Sequence, residues 1–389
     1  MTDPTGQQTA RNERQISPTA PGDLRYWLAL HHAPGVGVAA FHQLLQQFGR
    51  PQAAFESGAG AFPKGRWRRQ TLDYLAAPDW QAVDAELAWA RQPDNHVITF
   101  HDPRYPALLR EIADPPPLLY LHGNPAALSA LQLAIVGSRN PTPGGADTAH
   151  DFARFLAGAG LAICSGLALG VDAASHRGAL AGGGMTIAVM GTGLDRVYPA
   201  RHRDLAHQIA NNGALVSEFR LGTAPRPENF PRRNRLISGL SLGTLVIEAG
   251  ISSGSLVTAR LAAEQGREVF AIPGSIHNPL AKGCHLLIRQ GAKLVENAGD
   301  VLEELGPLAG VAAASLPQPP DAVDPTPEFS GPENIVLKHL GFEAVSIDTL
   351  VAKSGMAPEI VSASLVALEL LGQVSSAAGG RYCRVHKSR

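Results

Sequence analysis

From Asn229 to Arg235 the chain reads Asn-Phe-Pro-Arg-Arg-Asn-Arg, and Arg226 stands just before it. One aromatic ring, Phe230, therefore sits among the guanidinium groups of Arg226, Arg232, Arg233 and Arg235. Guanidinium groups grip phosphate oxygens, and a flat ring offers its face to any base. The combination suits a chain of phosphates carrying bases better than one isolated phosphate. Further on, Ser252-Ser253-Gly254-Ser255 opens an amphipathic segment with Leu256, Ala259, Leu261 and Ala262. A small glycine-containing turn at a helix N-terminus leaves N–H groups free at the positive end of the helix dipole, which makes an anion site.

The elements that must position these residues are legible between Leu131 and about Leu305. Short apolar runs occur at Leu133–Val136, Leu161–Cys164, Met185–Met190, Ala214–Val216, Thr244–Ile247, Glu268–Ile272 and Lys293–Val295, with helical segments between most of them. Strands alternating with helices predict right-handed βαβ crossovers and an α/β fold, a doubly wound, mostly parallel sheet. Such sheets bind ligands at the carboxyl ends of their strands. The residues that follow each run are Gly137-Ser138-Arg139-Asn140, Ser165-Gly166-Leu167, Gly191-Thr192-Gly193, Glu248-Ala249-Gly250 with the Ser/Gly turn, and Pro273-Gly274-Ser275. They predict a rim rich in N–H groups and mostly uncharged, with positive charge from Arg139 and the 226–235 arginines. Arg139, directly after a buried strand, is expected to bind phosphate. Ser165 and Gly166 would add hydroxyl and N–H donors, Gly137 and Ser138 belong to the same rim, and Phe230 would stack on a base.

Several other chemistries compete for the same residues. Gly137 to Gly145 is not a GxGxxG turn, and the second strand ends at Cys164-Ser165 with no carboxylate for a ribose, so a dinucleotide cofactor is poorly supported. Asp172 and His176, four apart, share a helical face suited to acid–base work, although capping is the commoner use of such a pair. Asp195 is expected to cap its own turn. Glu248 has two readings: a general base, as in nucleotide-cleaving α/β enzymes, or a partner orienting Arg233 or Arg235, which is favoured. His277 and His285 lack metal-ligand spacing, and Cys164, Cys284 and Cys383 form no CxxC pair. A binder is better supported than an enzyme, with no catalytic residue, metal or cofactor expected.

The flanks and the totals set the frame. Residues 1–22 are polar and Pro/Gly/Thr-rich, and a disordered tail is expected there. Residues 23–95 carry helical patterns around Pro34-Gly35-Val36-Gly37, the layout of a helix-hairpin-helix domain; residues 96–132 read as a connector with a short strand at Leu118–Leu121. The core is placed at 96–305, a Pro/Ala-rich linker at 306–330, and three helices plus a β-hairpin, a winged-helix layout, at 331–389. The segment Pro358–Leu371 has two carboxylates and no Lys or Arg, which disfavours phosphate binding by that helix. Formal net charge is −1, so a polyanion site must be a local patch. No charged-then-apolar leader opens the chain and no run approaches a membrane span, so a cytoplasmic protein is expected, with no membrane contact.

The motifs Ile135-Val136-Gly137-Ser138-Arg139, Ser165-Gly-Leu-Ala-Leu-Gly-Val-Asp172-Ala-Ala-Ser-His176, Phe230-Pro-Arg-Arg-Asn234-Arg235, Glu248-Ala-Gly-Ile-Ser-Ser-Gly254-Ser255 and Gly283-Cys284-His285 resemble, in order, those of the DNA-processing protein A family (DprA, also called Smf). The resemblance covers about residues 96–300, and the terminal domains resemble that family's accessory domains, the N-terminal one helix-hairpin-helix or SAM-like. It implies an extended Rossmann-like core that binds single-stranded DNA without sequence preference or turnover. It also implies a homodimer, loading of RecA recombinase during natural transformation, protection of incoming DNA, and relief of the barrier set by single-strand-binding protein. The family's DNA pocket maps onto Arg139, Ser165-Gly166, Phe230 and Arg233-Asn234-Arg235, with Ser253, Gly254 and Ser255 as a phosphate cradle. Where family members often have a lysine shortly before the Phe, this chain has Arg226. The rival reading is a nucleotide N-glycosidase or phosphoribohydrolase using Glu248.

Overall fold

The computed structural model describes residues 21–58, 61–62, 67–306, 331–341, 344–377 and 379–385. The expected tail and linker fall almost wholly outside these residues; Pro21 and Gly22, expected in the tail, already belong to a helix. The chain divides into two compact units, one of residues 1–88, 98–105 and 116–118 and one of the remainder.

The first unit is helical: α1 (Pro21–His32), α2 (Val38–Phe48), α3 (Pro51–Glu56), α4 (Arg69–Ala76) and the start of α5 (Trp80–Ala90). Trp27 stacks on Phe41 with centroids 5.4 Å apart, and Leu28, Leu30, Leu44 and Val83 are buried with them. Gly35 takes φ 75° in the turn between α1 and α2, and Thr71 Oγ1 donates to Pro34 O at 2.6 Å. The short α3 was not anticipated. Pro51 stands at its start, where a missing N–H costs nothing.

The chain also forms a nine-stranded sheet, nearly all of it in the second unit: β1 (Asn95–Thr99), β2 (Leu118–Gly123), β3 (Gln132–Gly137), β4 (Ala162–Ser165), β5 (Thr186–Val189), β6 (Ala214–Ser217), β7 (Gly243–Ile247), β8 (Glu268–Ala271) and β9 (Lys293–Leu294). Their order is β1-β2-β6-β5-β4-β3-β7-β8-β9. Strand β2 runs antiparallel to β6, and every pairing from β6 to β9 is parallel. The segment read as a connector thus contributes β1 as well as β2, together with α6 (Ala107–Arg110). Helices α7 (Pro143–Gly158), α8 (Val171–Ala181) and α13 (Ala298–Leu305) pack on the sheet face carrying Leu133, Ile135, Ile163, Leu245 and Ile247. Helix α9 (Arg203–Asn212) packs by β5 and β6. Helices α10 (Asn229–Leu240) and α11 (Gly254–Glu264) pack together and against β3, while α12 (Lys282–Arg289) contacts β8. The sheet is doubly wound, as the alternation of runs predicts.

Chain order reverses at β3: it leads through β4 and β5 to one side, and β7 lies on the other. The β3–β7 boundary is therefore the topological switch point, where the loops after the two strands diverge and leave a crevice. The same unit ends in α14 (Pro332–His339), β10 (Val345–Ser346), α15 (Ile347–Ser354), α16 (Pro358–Leu370), β11 (Val374–Ala377) and β12 (Arg381–Arg384), with sheet order β10-β12-β11. Val336, Leu350, Val361, Leu365 and Leu368 form the core of this winged helix. The two-residue β10 is an addition to the expected three helices and hairpin. No single helix among the described residues is long and apolar enough to cross a membrane.

Candidate functional site

The loops after β3, β4, β5 and β7 lie side by side along the carboxyl edge of the sheet. Strand β3 ends at Gly137, where an added Cβ would stand 1.9 Å from Ile247 O, so only glycine lets β3 and β7 close at the switch point. Ser138, nearly buried, accepts from Asn140 N at 3.1 Å and sets the turn. Arg139 then emerges exposed, with no side-chain hydrogen bond or ion pair among the described residues. An exposed, uncompensated guanidinium at a switch point is ready for an anion.

After β4 the structure corrects one expectation. Ser165 is fully buried and its hydroxyl donates to Ile135 O at 2.7 Å, so it braces the turn and offers no hydroxyl to the rim. Gly166 N donates to Asp172 Oδ2 at 3.1 Å and Ala168 N to the same oxygen at 3.2 Å. Asp172 is thereby the cap of this loop. His176 is wholly buried; its Nδ1 faces Thr186 Oγ1 at 2.7 Å, and Thr186 donates to Ile163 O. That leaves Nδ1 as the protonated nitrogen of a neutral ring, and burial pushes the His176 pKa down to about 3. The pair does no acid–base work at neutral pH.

The arginine cluster separates into two sets. Arg233 is 4% exposed, and its Nη1 donates to Gly166 O at 2.7 Å and to Val189 O, tying β4 to β5 from α10. Burial lowers its pKa to about 10, while the facing Asp172 raises it, so it stays cationic at neutral pH. The same burial raises the Asp172 pKa, against the pull of Arg233. Arg235, 5% exposed, lies 3.0 Å from Asp114 Oδ2 and bonds Glu218 Oε2. Glu218 also accepts from Arg232 Nη2 at 2.9 Å, and the Arg232 guanidinium stands 5.3 Å from the centre of the Phe219 ring. Arg233 and Arg235, expected on the rim, are thus braces beneath it. Arg226 remains exposed with no side-chain partner among the described residues.

Glu248 pairs with neither arginine, contrary to expectation. Thr142 N donates to its Oε2 at 2.7 Å and Thr142 Oγ1 to its Oε1 at 2.6 Å, so both carboxylate oxygens are held at the start of α7. Glu218 is the carboxylate that orients the arginines. It directly follows the buried run Ala214–Ser217, a strand-end position like that of Glu248 after β7, and that position is its signal in the sequence. Asp195 Oδ1 accepts from Gly222 N at 2.8 Å and so holds the neighbouring turn rather than its own.

Phe230 is half-buried at the start of α10. Its ring packs where a Cβ on Gly191 would stand, 2.9 Å away, and Asn229 Nδ2 donates to Gly191 O at 3.0 Å. Tyr198, not singled out in the sequence, has its ring centroid 5.5 Å from that of Phe230. At the end of β7, Ser253 caps α11 by accepting from Ser255 N at 3.3 Å, and its hydroxyl meets Ser255 Oγ at 2.7 Å. Gly254 is exposed and an added Cβ there would meet nothing within 4 Å, so the helix N-terminus is open to a ligand. Asn234 Nδ2 reaches Gly254 O at 3.5 Å and links α10 to this turn.

Among the described residues no group of three or more His, Cys, Asp or Glu is placed to hold a metal ion. Burial pushes the thiols of Cys164 up to about 12 and Cys284 up to about 11, so neither is a thiolate nucleophile at neutral pH. The free cations Arg139 and Arg226, the Phe230 ring and the open start of α11 instead lie along the carboxyl rim of an α/β protein.

Residues 96–306 match the family model described as DNA recombination-mediator protein A. Residues 22–88 match the DprA-like N-terminal HHH domain and residues 317–380 the DprA winged helix domain. The chain is 42% identical over 328 residues to Protein Smf of Escherichia coli (strain K12), covering 82% of this chain and 85% of that one. It is 48% identical over 203 residues to the DNA processing protein DprA of Streptococcus pneumoniae (strain ATCC BAA-255 / R6), covering 52% and 72%. The X-ray structure of DNA processing protein A from Streptococcus pneumoniae aligns with a TM-score of 0.61 at 38% identity, covering 72% of this chain and 97% of that one. The chain belongs to the DNA recombination-mediator protein A family.

Proposed function

We propose that this protein binds single-stranded DNA without sequence preference along the carboxyl rim of its sheet, and as a cytoplasmic homodimer protects incoming DNA and loads RecA recombinase onto it during natural transformation. Single-strand-binding protein is the further partner whose barrier it relieves. The observation that carries the reading is the pair of uncompensated arginines, Arg139 and Arg226, on a rim that also offers the Phe230 ring and the start of α11. Backbone phosphates would meet Arg139, Arg226, Asn234 and the Ser253-Gly254-Ser255 turn, and bases would stack on aromatic surface. Gly137, Ser138, Ser165, Gly166, Arg233 and Arg235 serve the site by shaping and bracing it.

A nucleotide-hydrolysing enzyme with Glu248 as base is not favoured, because that carboxylate is already committed to Thr142. The test is fluorescence anisotropy with labelled oligo-dT across a salt series, for wild type and Arg139→Ala. Wild type should prefer single to double strands and weaken as salt rises. Loss of one phosphate contact should make the slope of log K against log salt shallower by about 0.7. Tight binding by Arg139→Ala with an unchanged slope would reject the assignment.

A further inference from the structure

We infer that Tyr198 supplies the main base-stacking surface of the rim and that Phe230 acts chiefly as its support; this rests on the single-stranded DNA reading above. Tyr198 lies in the loop after β5 and is 48% exposed, whereas Phe230 is half-buried with its ring packed on Gly191. The two centroids are 5.5 Å apart and the rings are tilted by 43°. A base sandwiched between two rings needs about 7 Å, twice the contact distance of some 3.5 Å between carbon atoms. No base fits between these two. They form one step of aromatic surface, and the free face belongs to the more exposed ring.

The tyrosine is also placed for the path. Arg139 follows β3 and the aromatic step stands over the end of β5, two strands away, a separation of about 10 Å at the usual spacing of strands. That distance exceeds one phosphate and calls for an extended strand. The Tyr198 hydroxyl has no hydrogen-bond partner among the described residues, so no internal contact holds the ring tip. Arg201, three residues on, is exposed and has no ion pair among the described residues, which continues the positive track past the ring. Phe230 is joined to the same loop by Asn229, whose side chain donates to Gly191 O. The support and the stacking ring are thereby fixed to one another.

The test has two parts. Oligo-dT carrying 5-iodouracil is irradiated with wild-type protein and the crosslinked peptide is sequenced; the crosslink should fall on Tyr198. Binding of oligo-dT is then measured for Tyr198→Leu, Tyr198→Phe and Arg139→Ala. Tyr198→Leu, which keeps apolar bulk but loses the flat ring, should weaken binding about tenfold with an unchanged salt slope, since stacking carries no charge. Tyr198→Phe should restore most of that loss. Binding within twofold of wild type for Tyr198→Leu, with the crosslink elsewhere and Arg139→Ala still weakened, overturns the role of Tyr198 and leaves the DNA reading standing. Failure of wild type to bind oligo-dT overturns both.

Discussion

Replacing Arg233 by Met separates an arginine that holds the rim together from one that touches the ligand. Arg233 lies inside, hydrogen-bonded to the carbonyls of Gly166 and Val189, and it is the counter-charge of buried Asp172. Taking away the cation whose field offsets a buried carboxylate costs up to about 3–5 kcal/mol, because that charge is left without compensation. The two carbonyls lose their donor at the same time. For a core of this size 1 kcal/mol moves the melting temperature by about 2–4 °C, so Arg233→Met should melt roughly 6–20 °C below wild type. Adding Asp172→Asn removes the stranded charge, and the double variant should melt above Arg233→Met. Differential scanning fluorimetry reads both shifts, and the salt dependence of oligo-dT binding is measured well below the lower melting point. The slope for Arg233→Met should match wild type, since the group contacts no phosphate. A variant that melts within 2 °C of wild type yet has a shallower slope would show that Arg233 reaches the DNA, and the burial argument would fall.

The structure sets two further expectations beside the salt-slope test of Arg139. His176 is neutral when folded, with its pKa pushed down to about 3, and titrates normally near 6.5 when unfolded. Its contribution to stability is therefore complete above the unfolded value and lost as pH falls from about 6.5 toward 3, amounting to about 2 kcal/mol by pH 5. Asp172 works in the opposite sense because its pKa is raised, so the comparison is with His176→Asn. Urea unfolding at pH 7 and pH 5 should show a smaller acid loss in that variant, and equal losses would refute the assignment. For Glu248→Gln, one charged acceptor at the start of α7 becomes neutral, at a cost of about 1–2 kcal/mol read by the same unfolding assay. Hydrolysis of nucleoside monophosphates should be absent in wild type and variant alike; turnover by wild type that this change abolishes would restore the enzyme reading.

The parallel core was legible because a buried β-branched run such as Thr244–Ile247 has few other uses, and its neighbours repeat the pattern at regular intervals. Strand β1 escaped because it is an edge strand whose apolar run is only Val97-Ile98, set between the polar Asn95, His96 and Thr99, too short to stand out by composition. The site divides in the same way. Arg139 could be placed because a residue directly after a buried strand has one direction to go. The 226–235 cluster is a patch by composition, but its second half is a helix. At 3.6 residues per turn, Asn229, Arg233, Leu236, Ile237 and Leu240 fall on one face, and that face is buried. Arg233 was therefore bound inward by its period with the leucines, and its charge demanded a buried carboxylate in return. Arg226, before the helix begins, escapes that constraint. The chemistry of a guanidinium is the same in both places, and its position in or before the buried helix decides whether it meets a ligand or the protein's own carbonyls.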